Sequence, residues 1–364
     1  MLSKKQTSIL LTLLLAMMLV ITACGSGEEA SKENDSSGNN DEGNTEEIAN
    51  DEVITLKFAT SAPADHAFSL MTYVPFIERV EELTEGRVKI DWYPGGQLGA
   101  GSDYLYLTRD GVADLAYVAP VNTPSEFPIS SNIGLSGLFN PDDILNASLA
   151  LLATQQQSPI LDEYVHHGVR PVLSMWAPPA DVWVRDDVPL RTPQDFQGLR
   201  LASTHITSKI LQELGATPVN LNAADQYSAL DTGVVDGTIL YASTVRGFGL
   251  WEQMKSGSRG LGMTPNVLNL IINEKVYQDL PSDIQEAILQ AGKEISASGA
   301  QGQYDDDSDA FNQFVEEGIN IQELTDAELQ QWQEFYDEFN ANYIENDDAA
   351  KAIELFQQEL EALQ

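Results

Sequence analysis

Few residues in this sequence are spaced for covalent or metal chemistry. Asp305, Asp307, Asp309 and Glu316 stand at positions 1, 3, 5 and 12 of a calcium-loop count, where carboxylates would wrap a hard cation. Position 6 of that count is Ala310, although the sharp turn of such a loop needs glycine. The run therefore reads as the solvated acidic face of a long helix. The four histidines, His66, His166, His167 and His205, lack the helical spacing of a zinc site. His166 and His167 precede Gly168 and read as a helix end, where imidazole suits the dipole. No nucleophile elbow, phosphate loop or paired-carboxylate signature is present. The single cysteine, Cys24, excludes an internal disulfide framework and Cys-rich zinc or iron–sulfur sites. The expectation is a non-enzyme without metal or cofactor.

Cys24 has a different chemistry available. Lys4 and Lys5 are followed by an apolar run over residues 9–20, ending in Ile21-Thr22-Ala23-Cys24-Gly25. A charged start, an apolar middle and a small residue before a cut form an export signal. The run is short for a membrane span of about 20 residues. The segment resembles a bacterial lipoprotein lipobox, with Ile21 where leucine is preferred. That resemblance implies a signal peptide over residues 1–23 and a diacylated Cys24 as the first mature residue. Residues 24–52 are then a lipidated cysteine and a polar, acidic tether. Such a composition buries too little surface to offset its ordering entropy and is expected to be disordered. The protein is expected on the outer face of the cell membrane, held there by its lipid anchor.

The rest of the composition narrows the partners. With 56 acidic against 19 basic residues and a net charge of −37, nucleic acid is excluded as a partner, because phosphate backbones need clustered Lys and Arg. Charge of this size suits a saline medium, where the Debye length falls to about 3 Å at 1 M salt. Hydrophobic residues make up 43%, enough for a core, and the length favours two lobes. From Val53 the pattern reads as strands at 54–59, 88–93 and 115–118, with helices at 66–85 and 102–109 between them. Strands at 169–176, 181–185, 199–202, 218–220 and 238–240 follow, with helices at 208–214 and 225–232. A strand at 268–273 precedes acidic helices starting at 281, 326 and 349. Strand–helix alternation of this kind is α/β grammar with parallel pairing.

Several short motifs fall in a telling order. They are Tyr93-Pro94-Gly95-Gly96-Gln97-Leu98-Gly99, Asp110-Gly111-Val112-Ala113-Asp114-Leu115 and Thr192-Pro193-Gln194-Asp195-Phe196-Gln197-Gly198-Leu199. Leu214-Gly215-Ala216-Thr217-Pro218-Val219, Tyr227 to Gly237 and Leu280-Pro281 complete the set. In this order they resemble the solute-binding subunit of TRAP (tripartite ATP-independent periplasmic) transporters, over nearly all the chain beyond Val53. The resemblance implies a two-lobe α/β fold like that of periplasmic binding proteins. One long helix, near residues 281–318, spans both lobes, and a ligand cleft lies between them. It assigns residues 53–177 with 263–303 to the first lobe and 178–262 with 304–364 to the second. It also implies a small organic solute as ligand and ion-driven membrane permease subunits as partners.

The sequence departs from that family where charge is used. Members commonly grip a ligand carboxylate with an arginine in the strand after the Gly-Leu-Lys-like motif, since a guanidinium pairs with it bidentately. Here that position is Ala202. A second basic position falls on Asp181, and an acidic or amide contact falls on Leu240, beside Tyr241. One reading is a cationic or neutral solute, with Asp181 balancing an ammonium and Trp176, Trp183, Tyr117 or Tyr241 offering aromatic faces. His205, just after the Ala202 strand, is the histidine best placed to approach it. The other reading keeps an organic acid and moves its anchor to Arg246 or Arg185. A ligand-presenting receptor for a sensor kinase is the alternative from another class.

Overall fold

The computed structural model describes residues 53–203, 205–221, 223–263, 266–344 and 346–364. Cys24 and the tether lie outside them. The chain starts with β1 (Ile54–Ala59), which lies parallel to β2 (Val88–Tyr93), Ile54 opposite Val88 and Ala59 opposite Tyr93. The connecting helix is expected from residue 66, but it opens as a π-helical turn over Ser69–Tyr73 and becomes α1 only at Val74–Leu83. Pro75 explains the difference: it has no N–H to bond back to Met71, so the regular ladder is interrupted there. Gly86, at φ 76°, ends the run, as an αL glycine beyond a helix does.

Then come α2 (Tyr104–Arg109), β3 (Leu115–Val118), α3 (Ser130–Ile133), α4 (Ile144–Gln155), α5 (Ile160–His166) and β4 (Val169–Trp176). The chain crosses over and forms β5 (Asp181–Val184), β6 (Arg200–Ser203), α6 (His205–Glu213), β7 (Thr217–Asn220) and α7 (Ala223–Asp231). β8 (Gly237–Leu240), α8 (Ala242–Gly247) and β9 (Ser256–Arg259) follow. It returns as β10 (Val267–Asn273) and α9 (Glu274–Asp279). The last part is α10 (Ser282–Glu316), β11 (Asn320–Glu323), α11 (Asp326–Tyr343) and α12 (Asp347–Glu361).

Two sheets result, ordered β2-β1-β3-β10-β4 and β11-β9-β5-β8-β6-β7. In each, one strand runs antiparallel through an otherwise mainly parallel set: β10 between β3 and β4, and β5 between β8 and β9. The first sheet carries its own core, with Phe58, Leu115, Val172 and Ile271 buried. The second is flanked by two clusters, one around Phe196 and Trp332 and one around Trp183 and Phe311.

The 35 residues of α10 reach about 50 Å at 1.5 Å per residue, and they serve both sheets. Ile284, Ile288 and Ala291 belong to the first core, whereas Ala310, Phe311 and Phe314 belong to the second sheet's cluster. α11 packs Trp332, Tyr336 and Phe339 on the second sheet. α12 departs from the expected division. Ala352, Phe356 and Leu360 are buried in the first core, because the apolar stripe of α12 meets α4, whose own surface is apolar all round.

The segments joining the sheets converge on two buried carboxyls. Residues 177–180 lead into Asp181, and Ala180 bridges Met263 antiparallel on the way back. Asp181 Oδ1 accepts the Leu261 amide at 2.9 Å, and Asp307 Oδ1, from α10, accepts the Ser243 amide at 2.8 Å and so caps α8. Burial pushes Asp181 up to about 7, with the Asp307 charge adding to it and Arg259 opposing it. Burial likewise pushes Asp307 up to about 6, with Asp306 adding and the Ser243 hydrogen bonds and Arg259 opposing. Asp307 is 5% exposed, so it departs from the solvated acidic face that the sequence suggests.

Two predictions follow from this packing. A Cβ on Gly292 would lie 1.7 Å from the Val172 carbonyl oxygen, so α10 and β4 approach as closely as only glycine permits. Glycine to alanine inside a helix ordinarily stabilises by roughly 0.5–1 kcal/mol. Gly302, whose added Cβ would meet only the Met71 side chain at 3.7 Å or more, is expected to follow that rule. Gly292→Ala is expected to lower the melting temperature by several degrees, and equal responses at the two sites would contradict the close approach. The second prediction concerns pH. Carboxyls raised above their unfolded value of about 3.9 stabilise the fold below that value and lose the contribution as pH rises through about 6 to 7. Asp307→Asn keeps an acceptor for Ser243 but cannot ionise. Its melting temperature should match wild type near pH 4 and exceed it progressively towards pH 8; parallel curves would show that Asp307 is not the titrating group.

Candidate functional site

Two cavities that could hold a solute lie at the loop ends of the sheets, the first between the lobes and the second within the first lobe. One cavity, of 450 Å³, is walled by the π-helical turn and its approach (His66, Phe68, Met71), by α8 with its preceding Tyr241, and by Gln303 and Asp306 of α10. Another, of 370 Å³, is lined by Ser61, Gly101, Ser102, Leu105, Tyr117, Val118, Ala119, Asn122 and Thr123 at the ends of β1 and β3. None of these nine side chains is charged. Tyr117 lines the second cavity and Tyr241 the first. Burial pushes both phenols well above their usual range, and the nearby Tyr117 adds to the shift at Tyr241. Both therefore stay neutral hydroxyls, and Tyr241 hydrogen-bonds Asn266.

The other residues singled out from the sequence are distributed more widely. Trp176 is fully buried in the first core, its Nε1 donating to the Ala147 carbonyl at 3.1 Å and its ring against Phe139 and Phe356. Trp183 is fully buried beside Phe311 and Phe314, with Nε1 donating to the Leu240 carbonyl at 2.9 Å. Neither lines either cavity, so their rings serve packing, and the aromatic faces at the cavities are Tyr117 and Tyr241 with Phe68 and Phe248. Ala202 is buried between Val219 and Thr238 in the second sheet. His205 begins α6, but its side chain lies outside the described residues.

Asp181, read from the sequence as an ammonium partner, is 2% exposed and held by the Leu261 amide. It sits inside the connection between the sheets and lines neither cavity, because its carboxyl turns to the backbone amides of the returning segment at Gly260 and Leu261. Arg246 does line the larger cavity, but its Nη2 is 2.6 Å from Asp306 Oδ1, so its charge is locally balanced. Arg185 follows β5 at the end away from Asp181, where its amide donates to Asp236 and its guanidinium lies beside Gly233. Arg200 pairs with Asp236. His66 is held below its usual range by partial desolvation, against the raising influence of Asp65, and is neutral near pH 7.

Sequence reasoning missed three polar groups at or behind these walls. Gln303 is 4% exposed, and its Oε1 is buried without a partner, as are Asn266 Oδ1 and Thr123 Oγ1. A glutamine in the middle of a helix signals nothing by itself; only the packing of α10 against the π-helical turn makes it part of a cavity. The acidic run on α10 yields no metal site: among the described residues no group of three or more His, Cys, Asp and Glu could hold an ion. The wall chemistry suits reversible capture of a polar molecule by hydroxyls, amide oxygens and ring faces.

Comparison with known proteins agrees with this architecture. A solute-binding protein of Sulfitobacter sp. (strain NAS-14.1) is 27% identical over 289 residues, 75% of this chain and 78% of that protein. The ectoine-binding periplasmic protein TeaA of Halomonas elongata is 23% identical over 304 residues, covering 78% and 84%. Among solved structures, a TRAP solute-binding protein of an unidentified marine-metagenome microbe, specific for aromatic acid ligands, has a TM-score of 0.72. It shares 20% identity, with 85% of this chain and 99% of that one covered. The model of the family DctP, bacterial extracellular solute-binding protein family 7, matches residues 58–347, and the chain therefore belongs to this family of TRAP solute-binding proteins.

Proposed function

We propose that the chain is an extracytoplasmic receptor that captures a small organic solute between its two lobes and delivers it to an ion-driven TRAP permease. Acylated Cys24 would hold it at the outer face of the cell membrane. The family membership supports the receptor role, and the lobe arrangement supports capture by closure about the connecting segments. The solute is neutral or cationic rather than a simple carboxylate. The observation that carries this reading is the charge of the cavity walls. The cavity at Tyr117 has no charged lining residue, and the guanidinium at the other is already paired with Asp306. A carboxylate desolvated there would lack the bidentate partner that offsets its burial.

One feature favours a second reading. Arg246 is 30% exposed at its side chain and lines the cavity, so an organic acid that displaced Asp306 would find a cation there. Thermal-shift and calorimetric screening of amines, amino alcohols, polyols and organic acids separates the two, because a ligand that binds only the folded form raises its melting temperature. Amines or polyols are expected to raise it, with Arg246→Ala changing their affinity less than about tenfold, or 1.4 kcal/mol. Micromolar binding of an organic acid that Arg246→Ala abolishes would establish the carboxylate reading instead. Delivery is tested by uptake of the bound compound in cells with and without the permease subunits.

The anchor has its own test. Cys24→Ala should move the protein from the membrane fraction into the medium. Retention of that variant on membranes would mean that the apolar segment over residues 9–20 does the anchoring.

A further inference from the structure

One wall of the larger cavity carries a buried acceptor without a donor. Gln303 projects from the middle of α10 and is nearly enclosed. Its Nε2 donates to Thr72 Oγ1 at 3.0 Å, within the π-helical turn, and its Oε1 is buried without a partner. Asn266, bonded to Tyr241 of the same cavity, has an unpartnered Oδ1 as well. Buried amide oxygens are nearly always paired, and an exception needs a reason. The charges around them have the same sign preference: Asp65 is unmatched among the lining residues, Asp306 and Arg246 cancel, and His66 is neutral near pH 7. Phe68, Phe248 and Tyr241 add ring faces, which attract cations.

Resting on the receptor reading above, we propose that Gln303 is a specificity-determining contact that selects a solute carrying a protonated primary or secondary amine, one N–H of which is received by Gln303 Oε1. The residue lies on the helix shared by both lobes, so a solute bonded to it is held at an element that both lobes contact. A quaternary ammonium would gain the ring faces and Asp65 but has no N–H for Oε1, and an anion would have to displace Asp306 from Arg246.

Isothermal titration calorimetry on the purified protein with putrescine and ethanolamine, with choline and malonate as controls, tests this. Wild type should bind at least one of the two N–H amines at least tenfold more tightly than choline. Gln303→Leu should lose that preference while keeping the unliganded fold by circular dichroism, and Gln303→Glu, which keeps the shape and an acceptor, should retain or tighten amine binding. Unchanged amine affinity in a folded Gln303→Leu protein overturns the assignment, as does absence of amine binding by wild type. Should the leucine variant not fold, equal binding of putrescine and choline by wild type, or loss of amine binding in Gln303→Glu, overturns it independently. Malonate binding in place of amines would leave a solute receptor standing with this subsite refuted. Loss of permease-dependent uptake for every bound compound would instead refute the receptor reading.

Discussion

Everything in the folded part hangs on the seating of α10 against β4 at Gly292. Two sheets with separate cores would otherwise be joined only by short extended segments, and such joints leave domains free to move independently. A helix of 35 residues pressed backbone-to-backbone on the first sheet fixes its axis. The same rigid axis then carries Phe311 and Phe314 into the second sheet's cluster. Side chains on the intervening turns meet what both lobes bring: Gln303 faces the π-helical turn, Asp306 reaches Arg246 and Asp307 caps α8. The polar character of the cavity is thus a product of helical periodicity along one element, read from a core-packing end to another core-packing end.

Much of this was legible in the residues. Alternation marked β1 and β2, helical acidic stretches marked the last long helices, and Gly86, Gly198 and Gly233 fall where φ is positive. The ordered motifs pointed to the family, and the spanning helix was placed within two residues at each end. What escaped had no one-dimensional signature. α4 is apolar on every side, so no stripe announces it, and β9, with the sequence Ser-Gly-Ser-Arg, is a strand only because β5 and β11 flank it. Gly257 in β9 is there because a Cβ would strike the Trp183 ring at 2.6 Å.

The site was less legible than the fold, for a related reason. Residue type suggested that tryptophans would wall a cleft, yet Trp176 and Trp183 are the largest side chains of their cores and find backbone acceptors for their N–H groups there. Large rings bury the most surface, and in this protein the cores claim them first. Tyr117 and Tyr241 remain at the cavity edges. Asp181 and Asp307 show the converse: carboxyls that composition would put on the surface are drawn inside, because the crossing segments expose amides that need acceptors.

The return of α12 to the first core has a mechanical consequence. β1 and α12 both belong to the first lobe, so the second lobe is, topologically, an insertion, entered and left through the first. It is a hanging leaf whose every attachment passes through one frame. Torque from any rotation of that leaf is spread over the segment at 177–180, the Ala180–Met263 bridge and the helix α10. The frame need not turn at all.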